Sequence, residues 1–185
     1  MKRQFYGFMF YNEKLPIVFL ILYIFAFRSV YCSDLQHKHS DFILCRLCGH
    51  NIAPATHVIN IQSPAAEKVY NHSLFGLDNV EVQRIRNPLG IEFNIVLSTG
   101  GTCVGRRERW KSHNSWFPGY LWKPCFCSNC SHHIGWIFEP IQSAHEERAY
   151  ASTKGFYALI LDNIISEDYS NSLLATPKIS SRDEL

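Results

Sequence analysis

The sequence predicts a domain built mainly of β-strands. Apolar and polar residues alternate over residues 91–97, which is the pattern of a strand. Turns containing Gly or Pro are predicted at residues 87–90, 100–101 and 118–119. No long stretch repeats apolar residues at helical spacing. Hydrophobic residues make up 46% and charged residues 18% of the 185, which is typical of a globular protein with its own core.

Short extended segments follow one another through the chain. They are apolar or partly alternating, and they are predicted at residues 57–61, 79–86 and 91–97. The last of these has one buried face, and Pro88 fixes φ in the turn before it. Pro118 and Gly119 suit the two central positions of a type II turn. Residues 155–161 are mostly apolar, and their periodicity leaves a strand and a buried helix both open.

The first part of the chain has the composition of a targeting segment. Residues 17–27 are uncharged and apolar, and basic residues precede them. This run is much shorter than the roughly 20 residues that span a bilayer. We therefore expect a cleaved signal peptide over residues 1–32, starting at Met1 or Met9, with an uncleaved anchor or buried helix as the alternative.

The last four residues, Arg-Asp-Glu-Leu, resemble the Lys-Asp-Glu-Leu retrieval signal of the endoplasmic reticulum lumen. The expected organisation is a linker over residues 33–40, a domain over residues 41–165 and a flexible tail over residues 166–185. In that compartment the sequon at Asn71 becomes an acceptor for an N-linked glycan. A second sequon begins at Asn129, inside a Cys-x-x-Cys pair, and we expect it to stay unmodified.

Two Cys-x-x-Cys pairs predict a metal site. Their members, far apart in the chain, are Cys45, Cys48, Cys127 and Cys130. Four thiolates form the closed tetrahedral set that a structural zinc ion prefers, and Gly49 suits the tight turn after the first pair. Disulfides are the alternative, because an oxidising lumen favours them. His132 and His133 follow the second pair, and we expect them outside the metal shell because four cysteines complete it.

Two further cysteines, Cys103 and Cys125, are left over once zinc takes four and Cys32 leaves with the signal peptide. One follows the turn at residues 100–101 and the other precedes the second Cys-x-x-Cys pair, so their flanks are expected to converge. In an oxidising compartment a pair within reach closes, and we expect a disulfide between them.

Aromatic residues surround the second Cys-x-x-Cys pair. Trp116 and Trp122 precede it and are linked by the predicted turn, while Trp136 and Phe138 follow it two residues apart and share one face of a strand. These rings form either a pocket wall or an ordinary core, and the residues alone favour core because buried aromatic side chains usually pack. Trp110 lies outside this group, and we expect it to pack in the core.

The segment over residues 114–138 resembles the C-terminal domain family of cereblon, known as the CULT domain. It shares Ser-Trp-Phe-Pro-Gly-Tyr-x-Trp and then Cys-x-x-Cys-x-x-His-Ile-Gly-Trp-x-Phe, and the match extends over residues 42–161. The resemblance implies a β-tent fold, in which a pair of antiparallel sheets is pinned at one end by zinc. The family's zinc ligands correspond to the four cysteines of the two pairs.

The resemblance also implies an aromatic cage for cyclic imides: glutarimides such as thalidomide, uracil-type rings, or cyclic-imide C-termini of damaged proteins. The cage and its rim correspond to Trp116, Trp122, Trp136, Phe138, Asn87, Pro88, Asn114 and Ser115. Main-chain groups of residues 114–116 and the Trp122 indole N–H are the expected hydrogen-bonding partners of the imide. Asn114 stands where the family has His, and its main-chain role makes the exchange tolerable.

We therefore expect a binding module, not an enzyme. A net charge of +2 gives no case for nucleic acid, and we expect neither stable membrane insertion nor a ubiquitin-ligase adaptor function. An enzyme of methionine sulfoxide reductase type, with Cys103 as nucleophile, is the alternative, although no reductase signature surrounds that residue. A chaperone-like protein that recognises damaged termini is a third interpretation, and it uses the same cage.

Overall fold

The computed structural model describes residues 41–174, which form two antiparallel β-sheets and a short helix. The predicted signal peptide, the linker and the retrieval sequence lie outside these residues. Within residues 41–174, no helix combines the length and the apolar character that crossing a membrane requires. The domain is mainly β, as the sequence predicts.

Eleven strands follow one another along the described residues. They are β1 (Phe42–Cys45), β2 (Asn51–Pro54), β3 (Val58–Ile59), β4 (Ala66–Leu74), β5 (Leu77–Arg86), β6 (Glu92–Ser98), β7 (Val104–Gly105), β8 (Tyr120–Phe126), β9 (His133–Pro140), β10 (Phe156–Ile160) and β11 (Ile164–Ser166). Helix α1 (Glu167–Leu174) follows β11, and the short 3-10 turns Ala55–His57 and Leu161–Asn163 precede β3 and β11.

The strands form a three-stranded sheet in the order β11-β1-β2 and an eight-stranded sheet in the order β4-β5-β6-β10-β9-β8-β7, with β3 also pairing with β6. In the large sheet, β4-β5-β6 and β8-β9-β10 are two runs of antiparallel neighbours, which meet where β6 pairs with β10. This arrangement brings the turn after β5 onto the same sheet as the tryptophans of β8 and β9.

Strand β6 is buried on both faces over its second half. The alternation over residues 91–97 predicts only one buried face, but residues 95–97 are all apolar, and all three are buried. Val96 belongs to the cluster that includes Ile43 and Ile164 of the small sheet, while Ile95 and Leu97 pack in the cluster of Trp116 and its neighbours. Both faces of the large sheet are therefore covered near its centre.

The end of the domain lies further along the chain than the sequence predicts. The sequence favours a tail from residue 166 onward, but β11 includes Ser166 and α1 follows it. Asp41 holds this segment: one carboxylate oxygen accepts a hydrogen bond from the Ser166 hydroxyl at 2.6 Å, and the other accepts one from the Asp168 main-chain N–H at 3.1 Å. A short polar helix has no periodic apolar face, so sequence pattern does not reveal it.

Candidate functional site

The two Cys-x-x-Cys turns have the same main-chain geometry. In the first, the N–H of Cys45 donates to the carbonyl of His50 and the N–H of Gly49 donates to Cys45, both at 2.8 Å. In the second, Cys127 donates to His132 at 2.8 Å and Ser131 donates to Cys127 at 2.9 Å. Each turn thus points the thiols of its two cysteines to one side.

The left-handed position of each turn is occupied differently. Gly49 has φ +72°, and Ser131, at the matching place in the second turn, has φ +60°. Glycine adopts this conformation freely, whereas a residue with a Cβ does so at a cost. Both turns adopt this conformation in spite of the cost to Ser131, which indicates that it is needed to orient the two thiols of each pair.

The four thiols meet in one cluster. The Sγ atoms of Cys45 and Cys130 lie 3.7 Å apart, and those of Cys48 and Cys127 lie 3.6 Å apart. All four sulfur atoms lie within 4.8 Å of one another. Tetrahedral zinc with Zn–S bonds of about 2.3 Å requires sulfur atoms about 3.8 Å apart, whereas a disulfide requires about 2.05 Å. The donor set therefore fits a zinc ion and not a pair of disulfides.

The thiols of the first pair differ in their electrostatic surroundings. The side chain of Asn129 and the main-chain N–H of His50 lower the pKa of the Cys48 thiol to about 6. Burial raises the pKa of the Cys45 thiol to about 12. A buried thiol of this kind ionises readily only when a cation lies beside it, which is what a bound metal provides.

The histidines beside the second pair lie outside this cluster. The Nε2 atom of His133 lies 2.9 Å from the Gly135 carbonyl oxygen, and its ring meets the Trp136 indole edge-on with centroids 5.0 Å apart. Burial lowers the pKa of His133. His133 therefore supports a wall of the aromatic cluster, and the expectation that these histidines are not ligands agrees with the four-cysteine geometry.

A disulfide joins Cys103 to Cys125, with Cα atoms 5.5 Å apart, and this is the pair expected from the sequence. Both cysteines are fully buried. The bond fastens the chain at the start of β7 to β8, two residues before Cys127. A buried cysteine in a disulfide is not a solvent-accessible thiolate, so nothing at Cys103 favours the redox enzyme.

The aromatic residues line a cavity of about 240 Å³. Its walls come from the turn after β5, the loop before β8, and strands β8 and β9. The residues that line it are Asn87, Pro88, Leu89, His113, Asn114, Trp116, Trp122, Trp136 and Phe138. Seven of the eight expected cage and rim residues are therefore brought together in one place.

The rings of this cavity form one connected cluster. Trp116 and Trp136 meet nearly perpendicular, with centroids 4.6 Å apart, and Phe138 lies 6.2 Å from Trp116. Trp122 faces Phe138 across the β8–β9 pairing. Trp116 and Trp136 are each 8% exposed and Phe138 is 1% exposed, so these rings present only a small part of their surface to the cavity.

Trp122 is held in place by Lys111 and by the cavity residue His113. Its main chain exchanges two hydrogen bonds of 3.0 Å with Lys111, and the Lys111 ammonium lies 4.9 Å from the ring centroid. Its indole N–H donates to the His113 carbonyl at 2.9 Å. This main-chain contact would have to break, or be shared, for the N–H to serve a ligand as expected from the sequence.

The loop that carries Trp116 is tied to β5 by buried polar groups. The Ser63 hydroxyl donates to the Trp116 carbonyl, and the Ser63 N–H donates to the Gln83 side-chain oxygen at 2.8 Å. The Gln83 amide donates in turn to the Ile61 carbonyl at 2.7 Å. Satisfied buried polar groups of this kind fix local geometry, so the Trp116 wall is held rigidly against the large sheet.

The rim is a rigid turn on one side. The side-chain oxygen of Asn87 accepts hydrogen bonds from the N–H groups of Leu89 and Ile91, at 3.0 and 2.9 Å. This closes the turn through the oxygen of the Asn87 amide, so neither of these hydrogen bonds uses its NH₂ group. Leu89 is 84% exposed, and it is an apolar side chain at the tip of a turn.

The opposite rim differs from the sequence prediction at one residue. Ser115 is not part of the cavity lining. Its hydroxyl lies 3.0 Å from the Phe117 carbonyl and 2.8 Å from the Tyr120 carbonyl, so it stabilises the Pro118-Gly119 turn. His113, which the sequence prediction does not include, lines the cavity instead.

Two lining residues, Leu89 and His113, are missing from the sequence prediction. For Leu89 a signal exists in the sequence, because a large apolar residue between Pro88 and Gly90 has no obvious core to enter. His113 adjoins the motif but lies outside it. The sequence offers no signal that its carbonyl and ring meet Trp122.

In comparisons with known proteins, the chain matches no protein-family model and no curated protein. Its interpretation therefore depends on the geometry of the four-cysteine cluster and of the aromatic cavity.

Proposed function

We propose that this chain is a non-enzymatic binding module of the CULT type, whose aromatic cage takes a cyclic imide or a uracil-like ring. The observation that carries this proposal is the convergence of Trp116, Trp122, Trp136 and Phe138 on one small cavity. Core packing alone does not require a cavity at the meeting point of four rings, because protein interiors are close-packed.

The size of the cavity favours a small ring. About 240 Å³ is below the roughly 300–1,000 Å³ of pockets that enclose a drug-sized molecule. A planar ring enclosed by indole faces gains about 1 kcal/mol per aromatic contact beyond burial. The rest of a larger ligand stays outside, which suits a ring carried at the end of a chain, such as a modified protein terminus.

The hydrogen-bonding groups of an imide need partners inside the cage. An unpaired buried donor or acceptor costs about 1–3 kcal/mol. Because the Trp122 N–H already has a partner, we assign this role to the main chain of residues 114–116 and to the Asn87 amide NH₂. Asn114 has φ +56°, an unusual main-chain conformation on the cavity rim.

We assign a structural zinc ion to Cys45, Cys48, Cys127 and Cys130, and a β-tent arrangement to the two sheets. The support is that Cys45 ends a strand of the small sheet, while Cys127 directly follows a strand of the large sheet. A metal held by all four ligands would join the end of β1 in the small sheet to the end of β8 in the large sheet. It supplies structure and no reactive position, since a four-cysteine shell is closed.

We place the protein in the lumen of the endoplasmic reticulum. This proposal depends on the apolar run at residues 17–27 and on the final Arg-Asp-Glu-Leu sequence. The disulfide between Cys103 and Cys125 supports it, because such bonds persist in oxidising compartments.

Titration with matched imides tests the binding function. Glutarimide and N-methylglutarimide differ in one hydrogen-bond donor, and binding to the zinc-loaded protein is followed by tryptophan fluorescence. We expect the N-methyl compound to bind roughly 5- to 150-fold more weakly, because it leaves a buried acceptor unpaired at about 1–3 kcal/mol. Equal affinity for the two compounds, or no binding of either, would contradict the proposal.

A further inference from the structure

Strand β4 is a long free edge of the large sheet. It has nine residues, pairs with β5 on one side, and has no strand on its other side within residues 41–174. The opposite edge, β7, has only two residues. An unpaired edge presents main-chain donors and acceptors that another chain can pair with, and proteins usually protect such edges.

The sequon at Asn71 lies in this edge strand. Asn71, His72 and Ser73 are all exposed, and Asn71 faces Glu81 of β5. The Ser73 hydroxyl donates to the Asp78 carboxylate at 3.0 Å, a contact at the surface that covers neither residue. The folded domain therefore has open space at the Asn71 side chain for a large substituent.

A substituent on Asn71 leaves the aromatic cavity accessible. Asn71 lies opposite Glu81, and from there β5 runs to the cavity residue Asn87. At about 3.4 Å per residue this stretch of extended chain covers roughly 20 Å. Asn71 is thus well separated, along the strands, from the aromatic cavity.

The second sequon has a different setting. Asn129 lies between two cysteines of the four-thiol cluster, and its side chain hydrogen-bonds to the Cys48 thiol. A substituent on its amide nitrogen would displace this contact in a tight turn. This setting gives a structural reason for the sequence-based expectation that Asn129 stays unmodified.

We propose that Asn71 carries an N-linked glycan, and that this glycan covers the free edge formed by β4 and prevents pairing between copies of the protein. The donor of the glycan is a lipid-linked oligosaccharide diphosphate of the secretory pathway.

In the transfer step, a C–N bond forms between the sugar and the Asn71 amide nitrogen, and the C–O bond between the sugar and the diphosphate breaks. The proton lost by the amide balances the charge on the released lipid diphosphate. The proposal depends on the lumenal location and not on the ligand cage.

Expression of the full-length chain in eukaryotic secretory cells tests the modification. We expect a single mobility shift that endoglycosidase treatment removes. The variants Asn71→Gln and Ser73→Ala each lose the shift, and the matched control Asn129→Gln keeps it. Absence of the shift in the natural sequence, or its loss in Asn129→Gln alone, would overturn the assignment to Asn71.

The protective role is tested by the oligomeric state of the purified proteins, measured by analytical ultracentrifugation. We expect the glycosylated protein to be monomeric at concentrations where Asn71→Gln and Ser73→Ala form dimers or larger species. Adding His72→Lys to Asn71→Gln places a charge on the edge strand and should restore the monomer. If Asn71→Gln and Ser73→Ala unfold thermally like the parent and stay monomeric, the glycan does not protect the edge and the proposal fails.

Discussion

At the residue scale, Trp122 offers the most direct test of the cage. It is half-buried, so its truncation costs less stability than loss of the more buried Trp116 or Trp136. We expect Trp122→Ala to weaken glutarimide binding about tenfold or more, which corresponds to about 1.4 kcal/mol, because one wall of the cavity is lost. Isothermal titration of the zinc-loaded variant measures this effect.

Trp110 provides the matched control for this substitution. It is also half-buried, but it lies outside the cavity lining, and its indole N–H donates to the His145 carbonyl at 2.8 Å. Trp110→Ala should leave the affinity for glutarimide unchanged. If both variants lose binding equally, the effect is on folding and the assignment of Trp122 to the cage is wrong.

His133 should make the folding stability depend on pH, and a substitution at His133 can distinguish this effect from the titration of the thiols. Burial lowers its folded pKa below the ordinary value of about 6.5, so below that pH the unfolded chain binds more protons than the folded one. Folding stability therefore falls as the pH falls from about 6.5 toward the lowered pKa. His133→Phe keeps a ring beside Trp136 and cannot titrate, so its stability should fall less over this window. Denaturant unfolding at a series of pH values, with zinc content checked at each, measures the difference.

The side-chain types of the cage could be predicted from sequence, but their hydrogen-bond partners could not. The motif around Trp116 and Trp136 places the rings together, and the structure gathers them in one cavity. The Trp122 indole N–H, however, is taken by the carbonyl of His113, a main-chain group that any residue would supply. The prediction for Ser115 is wrong for a similar reason, since its partners are two carbonyls in its own turn.

At the scale of elements, the two Cys-x-x-Cys turns share their main-chain hydrogen bonds but have different residues at the position with positive φ. Ser131 adopts the left-handed conformation that Gly49 adopts in the first turn. Such a conformation costs a residue with a Cβ about 1 kcal/mol or more. We expect Ser131→Gly to stabilise the zinc-loaded protein by about 1 kcal/mol, and Gly49→Ser to destabilise it by a similar amount. Chemical denaturation measures both, and a destabilised Ser131→Gly would show that the serine side chain has a contact that outweighs the strain.

The strands with clear alternation or strong apolar character could be predicted, whereas β4 and α1 could not. Strand β4 is a polar edge strand, with Asn71 and His72 exposed, so neither of its faces carries a continuous apolar pattern. Helix α1 has no buried residue and depends on the cap from Asp41, far away in the chain. Local sequence does not reveal such elements, because they lack a periodic apolar pattern and depend on partners that are distant in the chain.

At the scale of the whole molecule, the four-cysteine cluster draws on both sheets, which no strand pairing joins within the described residues. Cys45 belongs to the β11-β1-β2 sheet, and Cys127 directly follows β8 of the large sheet. The disulfide between Cys103 and Cys125 strengthens only the large sheet, because both its ends lie at β7 and β8. A metal bound by these cysteines would therefore stabilise a different part of the protein from the disulfide.

If the proposed zinc ion joins the two sheets while the disulfide lies in only one of them, removal of the metal should loosen the two sheets unequally. Metal binding to a structural site of this kind contributes directly to folding stability, so its removal should weaken most the segments that carry the ligands. With a chelator present, we expect hydrogen exchange to accelerate first in β1, β2 and β11. The pairing of β8 with β9 and β10 should stay protected longer, because the Cys103–Cys125 disulfide remains there. Hydrogen–deuterium exchange with mass spectrometry resolves this order. The variant Cys48→Ser should reproduce it without chelator, and exchange that is uniform across both sheets would show that the metal does not join them.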